Sequence, residues 1–250
     1  MNVNLILQIA LRDIKLRYSS TRFGYAWVLL NPLLMLASLT IIFTYVMRFT
    51  FEYYQIFLIL GMIVWNFFSE ATSASISAVA SSMGMLKKIK VPLHMIVLGS
   101  NLSAVIGFAA NLIVLLILML LFRIQVFTFL RLSSVLYFFL LFAFVISVSL
   151  AVSTVYIYFR DIVHVWNFVL FLGFWLTPVL YPERYVPAQF LRYYLLNPLA
   201  RIISHLRNTV IYNYQDSLDQ VTITIVIVML LSYLCLKFYQ IFSKRLGEIL

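Results

Sequence analysis

Long uncharged windows alternate with short charged ones along the whole chain, and this alternation predicts six membrane-length helices. A stretch of about 18 or more residues without charge suffices to cross the roughly 30 Å hydrocarbon layer as a helix. Residues 23–47, 53–82, 94–122, 132–159, 162–182 and 220–242 are the stretches that approach it, the second interrupted by Glu70 and the last by Lys237. The pattern therefore predicts an all-α polytopic membrane protein forming a single transmembrane domain, with both termini returned to one side. Residues 1–22 precede the first span and are amphipathic: Val3, Leu7, Leu11, Ile14 and Tyr18 share one side, and Gln8, Arg12, Lys15, Ser19 and Arg22 the other. A basic helix of this kind lies in the headgroup layer; a plain basic flank that only fixes topology is the alternative.

Two spans carry polar and aromatic stripes that lipid does not require. In the fifth, which begins with an expected ion pair at Arg160 and Asp161, a helical wheel places Asn167, Phe171, Phe174, Pro178 and Tyr181 on one face. The first places Gly24, Trp27, Asn31, Met35, Ser38 and Tyr45 together, with Pro32 inside its first turns. Proline removes a backbone hydrogen bond and Asn31 needs a polar partner inside the bilayer, so this face should meet protein or water. For Trp27 and Tyr45 taken singly, interfacial anchoring explains the residue equally well.

The second span changes character at Glu70, after which small residues dominate and Ser73, Ser77 and Ser81 recur every fourth position. Small side chains let helix backbones approach closely, so this reads as a packing face. Glu70 is the only acidic residue well inside a span and is a functional candidate by default; packing glue, protonated or paired, is the competing reading. Gly99, Ser103, Gly107 and then Asn111 make a similar small-residue seam in the third span. Between them, residues 83–93 form the densest basic cluster, Met83 to Pro92 containing Lys87, Lys88 and Lys90, which marks a cytoplasmic boundary or a short surface helix. Residues 183–212 are too long and too patterned for a plain hairpin and predict short amphipathic helices that dip into the outer leaflet.

Composition agrees with the pattern, since 64% of the 250 residues are hydrophobic and only 10% are charged. The net charge of +10 is distributed among the short segments between spans, so it is topological and not a nucleic-acid face. Eleven Lys and Arg fall on the side of the N-terminus and seven on the other, which predicts cytoplasmic termini. Lone Cys235 excludes an internal disulfide and matches no metal-ligand spacing. The N-terminus lacks the cleavable signal-peptide pattern. No Gly-x-x-x-x-Gly-Lys-Ser/Thr loop occurs, so ATP hydrolysis by that route is excluded. Asp161 and His164 could share a helix face as metal ligands or as acid and base, but two such groups alone make a weak site, and His94 and His205 have no partner in sequence.

Taken together, four blocks resemble the permease subunit of type-2 ABC exporters of the polysaccharide family, which handle O-antigen, capsule and teichoic acid chains. They are Arg12 to Tyr18 leading into Gly24 to Pro32, the Lys87 to Pro92 segment, Phe159 to Ile162 with Thr177 to Pro182, and Asn197-Pro198 with Arg207. The resemblance implies a non-enzymatic transport subunit in the cytoplasmic membrane, forming a homodimer with two separate cytoplasmic ATPase subunits and moving a lipid-linked polysaccharide, O-antigen first among them. It implies no cofactor in this chain, ATP and Mg²⁺ being held by the ATPase, and no nucleic-acid partner. A channel would be lined by Trp27, Asn31, Ser38, Tyr45, Asn167, Phe171, Phe174 and Tyr181. Met83, Leu86, Lys87, Lys88 and Ile89 would sit on a coupling helix, and Tyr185, Asn197, Arg201 and Arg207 would belong to outer gate helices. Two other readings compete. One is export of a small lipid or drug by the same architecture. The other is a membrane-embedded enzyme acting on lipid-linked sugars through Asp161, His164 and Glu70.

Overall fold

A computed structural model describes residues 3–18, 22–46, 48, 53–88, 92–125, 132–214 and 216–244. Among the sequence-derived candidates, Ser19, Ile89, Lys90, Arg131 and Arg245 lie outside the described residues, as do the side chains of Val3, Arg17, Tyr18, Leu86, Lys87 and Lys88. The described chain is helical throughout: α1 (Val3–Tyr18), α2 (Trp27–Ile41), α3 (Tyr54–Lys88), α4 (Leu93–Leu121), α5 (Leu132–Tyr158), α6 (Ile162–Leu176), α7 (Ala188–Tyr194), α8 (Pro198–Val210) and α9 (Leu218–Ser243). A 3-10 turn at Gly24–Ala26 and a π turn at Ile42–Val46 extend α2 at both ends. Among the described residues, five helices are long and apolar enough to cross a membrane, those within Gly24–Val46, Tyr54–Gly84, Leu93–Leu121, Leu132–Tyr158 and Leu218–Ser243.

The fifth expected span is shorter than its hydrophobic window. α6 ends at Leu176 after 15 residues, about 22 Å of helix. Thr177 precedes Pro178 and is extended (φ −92°, ψ 147°), because the proline ring excludes the helical conformation from the residue before it. Pro178 and Tyr181 thus leave the helical stripe on which the wheel had placed them. Arg160 and Asp161, in the turn before α6, do not pair with each other either; both are exposed.

α3 is the axis of the bundle. From Tyr54 to Phe68 its side chains are almost all buried, including Ile56, Leu58, Ile59, Met62 and Val64, as expected of a helix that is apolar all round and surrounded by others. Phe67 packs between Phe108 of α4 and Phe142 of α5 at 4.9 and 4.7 Å, and Phe68 stacks on Phe144. Farther along, Ser75 Oγ lies 2.8 Å from Asn101 Oδ1 and 3.1 Å from Ser100 Oγ, so Ser75, on the buried side of α3 with Thr72 and Ser82, makes the polar lock on α4. Ser73, Ser77 and Ser81 point elsewhere and remain open, which corrects their reading as the packing face: the two sets lie on different sides of the wheel. α3 also runs without interruption to Lys88, so residues 83–88 are its last turns and not a separate short helix.

α1 lies across the first turns of α4. A Cβ on Gly99 would fall 2.7 Å from Ile9 Cγ2 and 3.1 Å from Ile6 O, so glycine is what lets the two helices touch. The face of α1 turned to the protein is Ile6, Ile9, Ala10 and Ile14, while Leu7 and Leu11, on the apolar side of the wheel with Ile14, are exposed. The last turns of α9 reach the same end of the bundle, where Tyr239 Oη lies 3.4 Å from His94 Nδ1 and Tyr158 donates to Phe242 O. Gly99→Val is expected to detach α1 at a cost of about 1–3 kcal/mol from overpacking. Faster trypsin cleavage at Arg12 and Lys15 in the intact protein would register it, and an unchanged cleavage rate would contradict the contact.

Candidate functional site

The expected channel residues of α2 and α6 meet on one face of α3, at Glu70. Between α2, α3 and α4 lies a cavity of about 520 Å³ lined by Trp27, Asn31, Met35, Asn66, Glu70 and Asn111. On the α6 side, a second cavity of about 600 Å³ is lined by Trp65, Glu70, Ser73, Asn167, Phe171 and Phe174. A third, of about 670 Å³, runs toward α1 past Ser73, Ser77 and Ser81 to the Arg12–Asp13 ion pair, whose Nη2–Oδ1 distance is 3.0 Å. Glu70 borders all three. Its place there depends on Gly107, where a Cβ would sit 2.7 Å from Glu70 Oε2.

This arrangement combines flat aromatic rings with amides, hydroxyls and one carboxylate, at the depth where apolar packing dominates elsewhere. Phe171 is 61% exposed, whereas Phe174 is half-buried with its ring 6.1 Å from Trp65. Asn31 and Asn167 are both exposed on helices that bury little else. Ser38 and Tyr45 lie farther along the first span and border none of the three cavities; Ser38 bonds back to Leu34 O and Tyr45 is on the π turn. Sequence reading assigned the α3 face to packing and omitted Asn66 and Ser69. The signal available was polar recurrence at positions 66, 69, 70, 73, 77 and 81, one helical face.

At the other end of the bundle Tyr181 belongs to a separate aromatic cavity of about 660 Å³ with Tyr185, Phe190, Tyr193, Tyr194 and Asn197. Asn197 also caps α8, its Oδ1 accepting from Leu199 N at 3.0 Å, with Pro198 in the first helical position and Nδ2 donating to Thr177 Oγ1. Arg201 donates to Leu195 O. Arg207 faces no opening. It is 3% exposed, its Nε and Nη2 donate to Phe57 O at 3.1 and 2.9 Å, Nη2 also to Val179 O at 2.8 Å, and Nη1 to Pro178 O, with Phe57's ring 3.3 Å beneath the guanidinium carbon. Burial pulls this guanidinium down to about 9, partly offset by Tyr194, Tyr212 and Glu183, so it remains a cation at neutral pH. Gly61 leaves the room, since a Cβ there would lie 2.7 Å from both Arg207 Nη2 and Val179 O.

His205, without a visible partner in sequence, has one in space. Its Nδ1 is 2.7 Å from Asp216 Oδ2, its Nε2 is 2.8 Å from Thr224 Oγ1, and Tyr137 stacks on its ring at 4.8 Å. Tyr137 Oη and Asn208 Nδ2 donate to Asp216 at 3.1 and 3.0 Å. Burial alone would raise the Asp216 carboxyl, but the bonds from His205, Asn208 and Tyr137 outweigh it and hold the group below the usual carboxylate range. Asp161 and His164 are exposed, and no group of three His, Cys, Asp or Glu able to hold a metal occurs among the described residues.

Residues 4–211 match the family described as ABC-2 type transporter. The chain is 26% identical over 254 residues to an O-antigen export system permease protein RfbA of Klebsiella pneumoniae, covering 99% of this chain and 95% of that one. Identity is 25% over 208 residues to a protein of the same name from Myxococcus xanthus, with 80% and 77% covered, and 25% over 211 residues to a polysialic acid transport protein KpsM of Escherichia coli, with 82% and 80% covered. The family match runs from the first helix through α8 and coincides with a multi-pass helical architecture: the chain belongs to the ABC-2 type transporter family.

Proposed function

We propose that this chain is the permease subunit of an exporter that moves a lipid-linked polysaccharide, O-antigen first among the candidates, outward across the cytoplasmic membrane. The observation that carries the reading is the convergence of Trp27, Asn31, Asn167, Phe171 and Phe174 on the Glu70 face of α3. Sugar rings present C–H faces that pack on aromatic rings and hydroxyls that need hydrogen bonds, so a sliding glycan is suited by such a surface. The names of the relatives, O-antigen export and polysialic acid transport, agree with it.

Six crossings fit the geometry when α6 is taken with the turn that follows. α6 descends α3 in antiparallel rungs: Trp166 Nε1 donates to Thr72 Oγ1 at 3.0 Å, Phe174 meets Trp65, Val179 approaches Gly61, and Tyr54 Oη donates to Leu180 O at 3.1 Å. From Tyr54 to the level of Ile162, roughly four residues beyond Thr72, α3 rises about 33 Å, enough for the hydrocarbon layer. α3 then continues about 18 Å past that level, which carries Lys87 and Lys88 beyond the bilayer toward a cytoplasmic ATPase that binds the ATP and Mg²⁺. α1, with Leu7 and Leu11 exposed beside Arg12 and Lys15, suits the headgroup layer at that same end, where α9 also finishes. Both termini are then cytoplasmic.

Asn31, Ser38 and Asn167 are exposed on span-length apolar surface, where lipid offers them no partner. A second copy of the chain facing these helices would enclose them and turn an open groove into a channel, with α7 and α8 as the outer gate helices. The test is a strain lacking this chain, in which the wild type restores surface glycan. Phe171→Ala should lower surface glycan at least about threefold without changing thermal stability, its ring being exposed, whereas Phe174→Ala should also lose about 1–2 kcal/mol of packing against Trp65. Wild-type glycan levels from the double variant at equal expression would remove the channel assignment.

A further inference from the structure

Among the described residues, α6 is the only helix longer than two turns with no buried side chain; Ile162, Val163, Trp166, Leu170 and Phe174 rest half-buried on the core. The four residues that follow it reverse this, since Thr177, Pro178, Val179 and Leu180 are all buried. Asn197 Nδ2 donates to Thr177 Oγ1 at 3.0 Å, Arg207 donates to the carbonyls of Pro178 and Val179, and Tyr54 Oη donates to that of Leu180. The helix is thus fixed at one end, where its backbone turns extended at Thr177 before Pro178. The turn Phe159–Asp161, which joins its other end to α5, is exposed throughout.

Toward that free end a single side-chain hydrogen bond holds α6 to the bundle. Trp166 Nε1 donates to Thr72 Oγ1 at 3.0 Å, and the Thr72 hydroxyl gives its own hydrogen to Phe68 O at 2.8 Å. Between the two attachments lies the cavity of about 600 Å³, with Asn167, Leu170, Phe171 and Phe174 on its α6 side. Gly173 crosses Trp65 where a Cβ would fall 2.6 Å from Cη2, so no side chain of α6 hooks over that ring. The indole of Trp166 also has a second acceptor within reach. It lies about 6 Å along the axis from the start of α6, at the depth where indoles meet headgroups and water. We propose that α6 is a hinged wall of the groove turning about Thr177–Pro178, and that Trp166 and Thr72 are positioning residues whose hydrogen bond latches it against α3. A turn of about 10° would carry the start of the helix through roughly 4 Å and widen the cavity while the Arg207 clamp stays closed. The latch rests on the export reading only in that the groove it widens is there the channel.

The gap is read on the purified full-length chain in lipid nanodiscs, as the rate at which a water-soluble methanethiosulfonate labels Leu170→Cys in a Cys235→Ser background. Thr72→Val keeps the shape and removes the acceptor, and Trp166→Phe removes the donor; each should raise the rate at least about fivefold. The two together should add less than about twofold to either alone, because they break the same bond. Thr72→Ser keeps the hydroxyl and should stay within about twofold of the parent. The unfolding midpoint of Thr72→Val should fall by no more than about 4 °C, what one hydrogen bond is worth in a chain of this length. A rate unchanged by both single variants, a rate raised as much by Thr72→Ser as by Thr72→Val, or a larger fall in the midpoint would each overturn the latch. Failure of the export reading shows differently, as a wild-type chain that restores no surface glycan in cells while the labelling rates keep this order.

Discussion

Arg207→Met should melt well below the wild type, because three backbone carbonyls lose their donor at once. Each buried acceptor left unmade costs about 1–3 kcal/mol, and the three share one region, so a total loss of roughly 3–5 kcal/mol is expected. For a chain of this size that corresponds to about 10 °C in the unfolding midpoint. The bonds in question tie α8 to Phe57 on α3 and to the Pro178–Val179 turn after α6, so three elements separate together. Arg207→Lys keeps the charge and should recover less than half of the loss, since an ammonium cannot reach three carbonyls with the fork of a guanidinium. Gly61→Ala should be costly in the wild type and milder beside Arg207→Met, because the added methyl meets Arg207 Nη2 at 2.7 Å. Its clash with Val179 O would persist. Thermal unfolding followed by tryptophan fluorescence in detergent measures all four combinations. A midpoint for Arg207→Met within about 2 °C of the wild type would show that the carbonyls find other donors.

The second large effect is expected at Asp216. Replacing it by asparagine turns one acceptor atom into a donor, which must then oppose a group that already donates, Tyr137 Oη or Asn208 Nδ2, or disturb the contact with His205. A loss of about 2–3 kcal/mol follows from leaving such a cluster half satisfied. The acid dependence gives the signature. The folded-state carboxyl lies below its unfolded value, so its contribution is complete above the unfolded value, about 4, and is lost as pH falls through the lowered folded one. The midpoint difference between wild type and Asp216→Asn should therefore shrink on acidification below about pH 4. A difference that grows there would contradict the assignment.

Much of this architecture was legible in the sequence, for reasons that particular residues make plain. α4 and α5 begin and end within a residue or two of their uncharged windows, since apolar length and backbone satisfaction alone define a span, whereas α9 runs on past Lys237 to Ser243. α6 was overextended because hydrophobicity continues through Thr177, whereas its conformation is decided by the ring of Pro178. The end of α3 was cut short because lysines at 87 and 88 signal a membrane boundary, yet no residue before Pro92 stops a helix, and Gly84 is tolerated. Glu70 announced itself by charge. The convergence of α2 and α6 upon it did not, because a wheel ranks faces within one helix and is silent on which helices meet. His205 and Asp216 were out of reach for a similar reason: their third member, Tyr137, is 79 residues away from Asp216 in sequence.

α3 runs unbroken for 35 residues. The helix contains no proline and its whole length, about 52 Å, is a single rod clamped by Arg207 near one end and carrying two lysines at the other. Pivoted near Glu70, such a rod behaves as a lever. A tilt of about 5° would swing the lysine end by roughly 2.5 Å and the Arg207 end by roughly 2 Å in the opposite sense. A push received at one surface would thus arrive at the other without any intervening refolding, and its mechanical advantage would be set by where along the rod the fulcrum lies.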